Sequence, residues 1–207
     1  MTTLHSEQPK PTEASLPASG KVQLTPEDWI AAAADLLLDK SVDAVRVDVL
    51  AKNLNVTRGS FYWHFKDRNE LLARLLTSWR DAATAQVIQR FEKSGASSTD
   101  LIHELISLPF RGAAAMHSAS IELGIRAWAR RDPMARQVVD EVDSQRLSYI
   151  AQCFSALGFG IADARRRAFM LYSYMITESL LRGQGSAEQQ ADRREFMLRT
   201  LLDKAQG

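Results

Sequence analysis

VDVLAKNLNVTRGSFYWHF, residues 47–65, decides how this chain is read. Val47, Leu50, Ala51 and Leu54 stand at i, i+3, i+4 and i+7, so a short helix over about 47–54 buries one face. Ala51 is small where a second helix must pack close. Asn55 follows four residues later, at a sharp turn where a positive φ is expected; Asn is the best non-glycine residue for that conformation. Val56 then packs beneath the turn, and Thr57 can cap a second helix running to about Trp63. Phe61 and Phe65 are expected to face inward with Leu50 and Leu54. Two short helices joined by about three residues form a helix-turn-helix, whose second helix enters a DNA groove.

The inward set leaves Arg58, Gly59, Ser60, Tyr62, Trp63 and His64 facing outward or partly so. A bland surface does not expose a tyrosine and a tryptophan side by side. DNA offers them a use: the Tyr62 hydroxyl to a phosphate, the Trp63 edge against a thymine methyl or a sugar. Arg58 suits a bidentate contact to guanine, and Gly59 lets the backbone approach closely. The Thr57 cap leaves the start of the recognition helix facing a phosphate or base edge. Arg46, Lys52, Lys66 and Arg68 surround the helix and are candidates for phosphate contacts. His64 either donates to a phosphate or caps the following helix.

Outward from this core the chain reads as helix. Thr25-Pro26-Glu27-Asp28 is a helix start, with a capping Thr, a proline at the first helical position and acids at the positive end. That helix ends near Lys40. A helix opening at Asp67-Arg68-Asn69-Glu70 is expected to continue to about Lys93, where Gly95 stops it. Later helices are expected over roughly 99–116, 118–130, 133–157, 161–183 and 187–205, with Pro109 kinking or dividing its own helix. Residues 1–20, with Pro9, Pro11 and Pro17, read as a disordered tail. The fold class is therefore all-α. Residues 21–66 form a three-helix DNA-binding domain. A long helix joins it to a larger helical regulatory and dimerisation domain over 67–207.

Composition excludes other classes. At 207 residues, 45% hydrophobic and 25% charged, the chain is an ordinary globular protein. A net charge of +1 means that any DNA binding must come from a local arrangement of cations. Cys153 alone permits no internal disulfide or cysteine zinc site, and it falls among apolar residues as a core side chain. His5, His64, His103 and His117 lack metal-ligand spacing, and no nucleophile or phosphate-loop motif is present. No enzyme activity, metal or cofactor is expected. Without an apolar run of membrane length or a secretory start, the expected location is the cytoplasm.

Residues 25–76 resemble the DNA-binding domain of the TetR family of transcriptional regulators. The matching signature is Leu50-Ala51, then Asn55-Val56-Thr57-Arg58-Gly59-Ser60-Phe61-Tyr62-Trp63-His64-Phe65, then Arg68 and Glu70-Leu71-Leu72. The family's usual form is Gly-Val-Ser-Lys-Gly-Thr-Leu-Tyr-x-His-Phe. The resemblance implies base or groove contacts from Arg58, Gly59, Ser60 and Trp63, and phosphate contacts from Tyr62, His64 and Arg68. Three departures stand out. Asn55 replaces a turn glycine, Arg46 stands where a phosphate-touching Thr is usual, and Asp48 replaces a common basic residue. The resemblance further implies a dimer on a palindromic operator, a small-molecule effector and most often repression. The rival reading is a helical ligand- or partner-binding protein that has lost sequence-specific DNA binding.

In the C-terminal half, residues 161–183 are apolar on more than one face, and Phe196, Leu198, Leu201 and Leu202 follow. The family builds a four-helix dimer bundle from its last two long helices, which these residues suit. It also implies a pocket within 99–182. Candidate lining residues are Phe110, Met116, Glu122, Trp128, Tyr149, Phe154, Tyr172 and Met175, with Arg126, Arg146 and Glu178 as further polar candidates. Glu178 and Arg182 are spaced for an i, i+4 pair. The aromatic and Met content suggests a largely apolar effector.

Overall fold

The structure is a computed structural model that describes residues 24–181 and 183–204; the expected tail at 1–20 and Arg182 lie outside the described residues. Ten α-helices follow one another: α1 Pro26–Asp39, α2 Val47–Asn53, α3 Arg58–Phe61, α4 Arg68–Ala83, α5 Ala85–Ser94, α6 Ser98–Ser107, α7 Gly112–Ala129, α8 Pro133–Ala156, α9 Ile161–Leu180 and α10 Ala187–Leu202. Among the described residues there is no strand, and no helix long and apolar enough to cross a membrane.

Local chemistry sets most of the boundaries. Thr25 and Asp28 form a reciprocal capping box, with Asp28 N–H donating to Thr25 Oγ1 and Thr25 N–H to Asp28 Oδ2. Ser97 with Asp100 opens α6 in the same way, and Ser186 with Gln189 opens α10. Asp132 caps α8, with Pro133 at its first position. Asn55 has φ 54°, as the helix-turn-helix requires, and Val56 N–H closes the turn onto Ala51 O at 2.9 Å. Gly95, at φ 62°, stops α5.

Two expected boundaries move. The helix expected over 67–93 is two helices, broken at Thr84, whose backbone stands at φ −127°, ψ −78°. Thr84 is buried, and its hydroxyl donates back to Arg80 O at 2.7 Å. Ala83 O instead accepts Arg146 Nε at 3.1 Å, from α8. The break expected near residue 117 is absent, since α7 runs unbroken through Ser118, while Pro109 divides its helix as expected, in a 3-10 turn at Leu108–Phe110.

α8 packs against α9, α7, α4 and α6, while α1 lies against α4 and α7. Two cores result. The first holds Trp29, Leu50, Phe61, Phe65, Leu71 and Leu75, and it extends into Ile125 and Trp128 of α7 and Val139 of α8. The second gathers Phe91, Ile102, Ile150, Phe154, Leu171 and Leu201. The helix-turn-helix thus shares its core with the C-terminal helices. Gly124 marks a close crossing: a Cβ there would lie 2.6 Å from Leu37 O, so α7 meets α1 backbone to backbone.

Candidate nucleic-acid interface and interior cavity

The recognition segment rests on an aromatic stack. Phe61 is fully buried, edge-on to Trp29 at 5.3 Å and stacked on Phe65 at 5.2 Å. Arg74 covers the Phe65 ring from α4. This anchoring turns the intervening residues outward. Tyr62 is 57% exposed and Trp63 87%, with Arg58, Gly59 and Lys66 also exposed and Ser60 and His64 half-buried. α3 is shorter than expected, ending at Phe61 with a looser turn through Phe65. Thr57 stands at its N-cap position but makes no side-chain capping bond, contrary to the expected cap. A Cβ on Gly59 would meet only Thr57 Oγ1, at 3.7 Å. Nothing among the described residues demands glycine there, so any demand comes from what approaches it.

The flanking cations differ from expectation. Arg46 gives two hydrogen bonds to Asp48, at 3.1 and 3.0 Å, on the open surface. Arg68 is turned inward: its Nε donates to Val45 O and its Nη2 to Val42 O, both at 2.6 Å. Its guanidinium ties the loop before α2 to the start of α4, a different role from the expected phosphate contact. Lys66 gives its backbone N–H to Glu70 and leaves its side chain exposed. Arg58, Tyr62, Trp63 and Lys66 are thus exposed together on one segment.

A cavity of about 690 Å³ opens among α1, α4, α5, α7, α8 and α9. Of the expected lining residues, Glu122, Tyr149, Tyr172 and Met175 face it, as does Arg146. The other four lie elsewhere. Trp128 and Phe154 belong to the two cores, Phe110 lies beneath Arg194, and Met116 is exposed on α7. One wall comes from elements not assigned to it from sequence: Ile30 of α1, Leu75 and Trp79 of α4, Val87 of α5. Trp79 and Leu75 stand at i, i+4 on α4, the signal that a second apolar face was present there.

The polar wall of Glu122, Arg146 and Tyr172 belongs to a closed network completed by Asp143 and by the expected candidate Arg126, neither of which lines the cavity. Arg146 Nη1 and Nη2 bond the Glu122 carboxylate at 3.0 Å, and Arg126 Nε adds another bond at 3.0 Å. Arg126 also grips Asp143, and Tyr172 Oη donates to Asp143 at 2.6 Å while accepting from Arg126 and Arg146. Burial alone would lower the pKa of Arg126 and Arg146; their bonds and charge contacts to Asp143, Glu122 and Tyr172 outweigh it and raise both. Burial would raise the Asp143 carboxyl, but the hydrogen bonds from Arg126 and Tyr172 hold it below its ordinary value. The Tyr172 phenol is pushed up to about 12, chiefly by burial, and so stays neutral. Asp143 was not singled out from sequence; it follows Asp140 and Glu141 and stands one helical turn before Arg146. Glu178 is buried and pairs with Arg193 of α10 at 2.9 Å; its expected partner Arg182 lies outside the described residues.

Residues 30–75 match the family model of bacterial regulatory proteins, tetR family. No curated protein matches the chain in sequence. Solved structures match its fold. A transcriptional regulator from Rhodococcus sp. Rha1 superposes with a TM-score of 0.67 at 17% identity, covering 86% of this chain and 96% of that one. The transcriptional regulator FadR from Bacillus subtilis, in complex with stearoyl-CoA, gives 0.63 at 18% identity, with 88% and 100% covered. NalD, the secondary repressor of the MexAB-OprM multidrug efflux pump in Pseudomonas aeruginosa, gives 0.59 at 16%, with 88% and 97% covered.

Proposed function

We propose that this chain, which belongs to the TetR family of bacterial regulatory proteins through residues 30–75, is a dimeric transcriptional repressor that binds a palindromic operator and is released by a small molecule. The observation that carries the reading is the exposed set Arg58, Tyr62 and Trp63, raised on a fully buried Phe61 in a segment that matches the family model. Residues 21–66 act as the recognition domain. Residues 67–207 carry most of the cavity and a dimer face on α9 and α10, where Phe169, Leu180 and Phe196 are exposed. Arg58, Gly59, Ser60 and Trp63 contact bases or the groove, and Thr57, Tyr62, His64 and Lys66 contact phosphates. Arg46 reaches the backbone only when it leaves Asp48, and Arg68 positions the helix-turn-helix from behind.

One recognition helix makes few base contacts, and two related by a twofold axis read half-sites ~34–36 Å apart. The cavity is the effector site. Its wall includes α4, which leads directly from the recognition segment, so an effector that prefers another α4 position lowers operator affinity; a 100-fold loss corresponds to about 2.7 kcal/mol of coupling. The ligands of fold neighbours, stearoyl-CoA and imidazole among them, are too unlike one another to name this one.

The test is selection of bound duplexes from a random-sequence pool, followed by fluorescence anisotropy across a salt series. The expected result is an enriched palindrome, bound with steep salt dependence by the native chain and not by the Arg58→Ala, Tyr62→Ala double variant. No enrichment over random sequence would overturn the DNA reading and favour a helical ligand- or partner-binding protein.

A further inference from the structure

The cavity's charges are laid out unevenly, and the inference drawn from them rests on reading it as the effector site. Its inner wall is charged but balanced: Glu122 and Arg146 line it and bind each other, and Arg126 and Asp143, outside the lining, complete the network, with each guanidinium bonded to a carboxylate and the Tyr172 hydroxyl shared between them. No counter-charge is left over for a ligand. A charged group pressed against this wall would lose its water and gain no unopposed partner. The middle of the cavity is aliphatic, with Ile88, Leu105, Leu108 and Leu123 among its lining residues.

The outer lining is different. Arg90 and Arg111 line the cavity and are exposed. Among the described residues Arg90 has no acidic partner, and Arg111 has one loose, exposed contact, to Glu104 at 3.7 Å. The exposed acid of the lining, Glu27, lies in the first turn of α1, where the positive helix end offsets its charge.

We propose that the cavity takes an amphipathic organic anion, its apolar body inward and its head at the rim on Arg90 and Arg111. A carboxylate or a phosphate ester at the end of an apolar body shares this chemistry, whereas a cationic amphiphile meets arginines at the rim and a neutral wall inside. The volume of about 690 Å³ falls within the usual range for small-molecule sites.

The test uses the intact chain loaded with N-phenyl-1-naphthylamine, a neutral fluorescent probe. Dodecanoate, dodecyl phosphate, dodecanol and dodecyltrimethylammonium compete for it below their micellar concentrations. The expected result is displacement by an anion at a concentration at least about tenfold below that of the cation and several-fold below that of the alcohol. The Arg90→Ala, Arg111→Ala double variant should lose this advantage and bind dodecanol as before. Which anion displaces better assigns the head as carboxylate or phosphate. A cation that competes equally, an anion preference intact in the double variant, or no displacement by any of the four would overturn the proposal. The same preparations are titrated on the selected duplex. Duplex binding without anion preference rejects the ligand class alone, and anion preference without selective duplex binding rejects the regulator alone.

Discussion

In the proposed operator complex, Asp48 governs how much of Arg46's charge can reach a phosphate. The two side chains are exposed and joined by two hydrogen bonds, so the cation nearest the start of α2 is neutralised within the chain. An exposed pair of this kind contributes little to stability, and its removal leaves the fold intact. The Asp48→Asn variant is expected to bind operator about 3- to 10-fold more tightly at low salt, with the log–log salt slope steeper by about 1. Anisotropy titrations at several salt concentrations check this; an unchanged slope would mean that Arg46 does not reach the backbone. At this scale the sequence exposes types more readily than partners. Asp48 was legible as a charge that weakens the local field, and Asn55 as the left-handed turn residue, because each depends on nearest neighbours. That Arg68 spends its guanidinium on Val42 O and Val45 O was not legible, since carbonyl positions follow from the whole path of the loop.

Helices end where the chain offers a cap or a breaker, and such ends were readable where Thr25, Asp132 and Gly95 act locally. The break at Thr84 was not. Ala82-Ala83-Thr84-Ala85-Gln86 contains neither glycine nor proline, and only the arrival of Arg146 from α8, some 60 residues later, gives the freed Ala83 carbonyl a partner. The lining residues show the same division. Glu122, Tyr172 and Trp128 were equal candidates from the family's layout, and only the packing separates them: the first two line the cavity, whereas Trp128 is buried in the first core. Gly124 makes that crossing possible and carries a sequence signal, an isolated glycine inside a helix. The Gly124→Ala variant places a Cβ against the Leu37 backbone, which cannot yield as a flexible side chain would. We expect a loss of about 1–3 kcal/mol in urea unfolding, despite the better helix propensity of alanine. A gain in stability would show that α1 and α7 separate without cost.

Over the whole molecule, the network on the cavity wall joins α7, α8 and α9 and reaches α4 through Ala83, so its protonation state bears on the fold as a unit. The Asp143 carboxyl is held below its ordinary pKa in the folded chain, despite the opposing effect of burial, by bonds from Arg126 and Tyr172. A depressed folded value means that its contribution is fully present above the unfolded carboxyl pKa of about 3.9 and is lost as pH falls through the lower folded value. The urea midpoint should therefore hold from neutral pH to about 5 and fall below about 4. The Asp143→Asn variant should start lower at neutral pH and fall less steeply. An identical acid slope in both would place the acid sensitivity in other carboxylates.

The two proposed functions of the C-terminal helices can be separated physically, because the cavity closes within one chain while the α9–α10 face is left open. Phe169 is 64% and Phe196 58% exposed, Leu180, Leu181 and Met170 lie bare beside them, and a monomer rarely leaves so many large apolar side chains on two adjacent helices. Beneath that face the pair is held rigidly: Arg193 binds the buried Glu178, and Arg167 donates to Leu201 O at the end of α10. A second copy can thus dock on a preformed surface. The Phe169→Glu variant should sediment as a monomer at micromolar concentration and keep its interior probe site. Operator binding should fall on the order of 100-fold or more, because each recognition helix loses the effective concentration set by its twin. A monomer that keeps native operator affinity would sever dimerisation from recognition. A variant that remains a dimer would move the interface off α9.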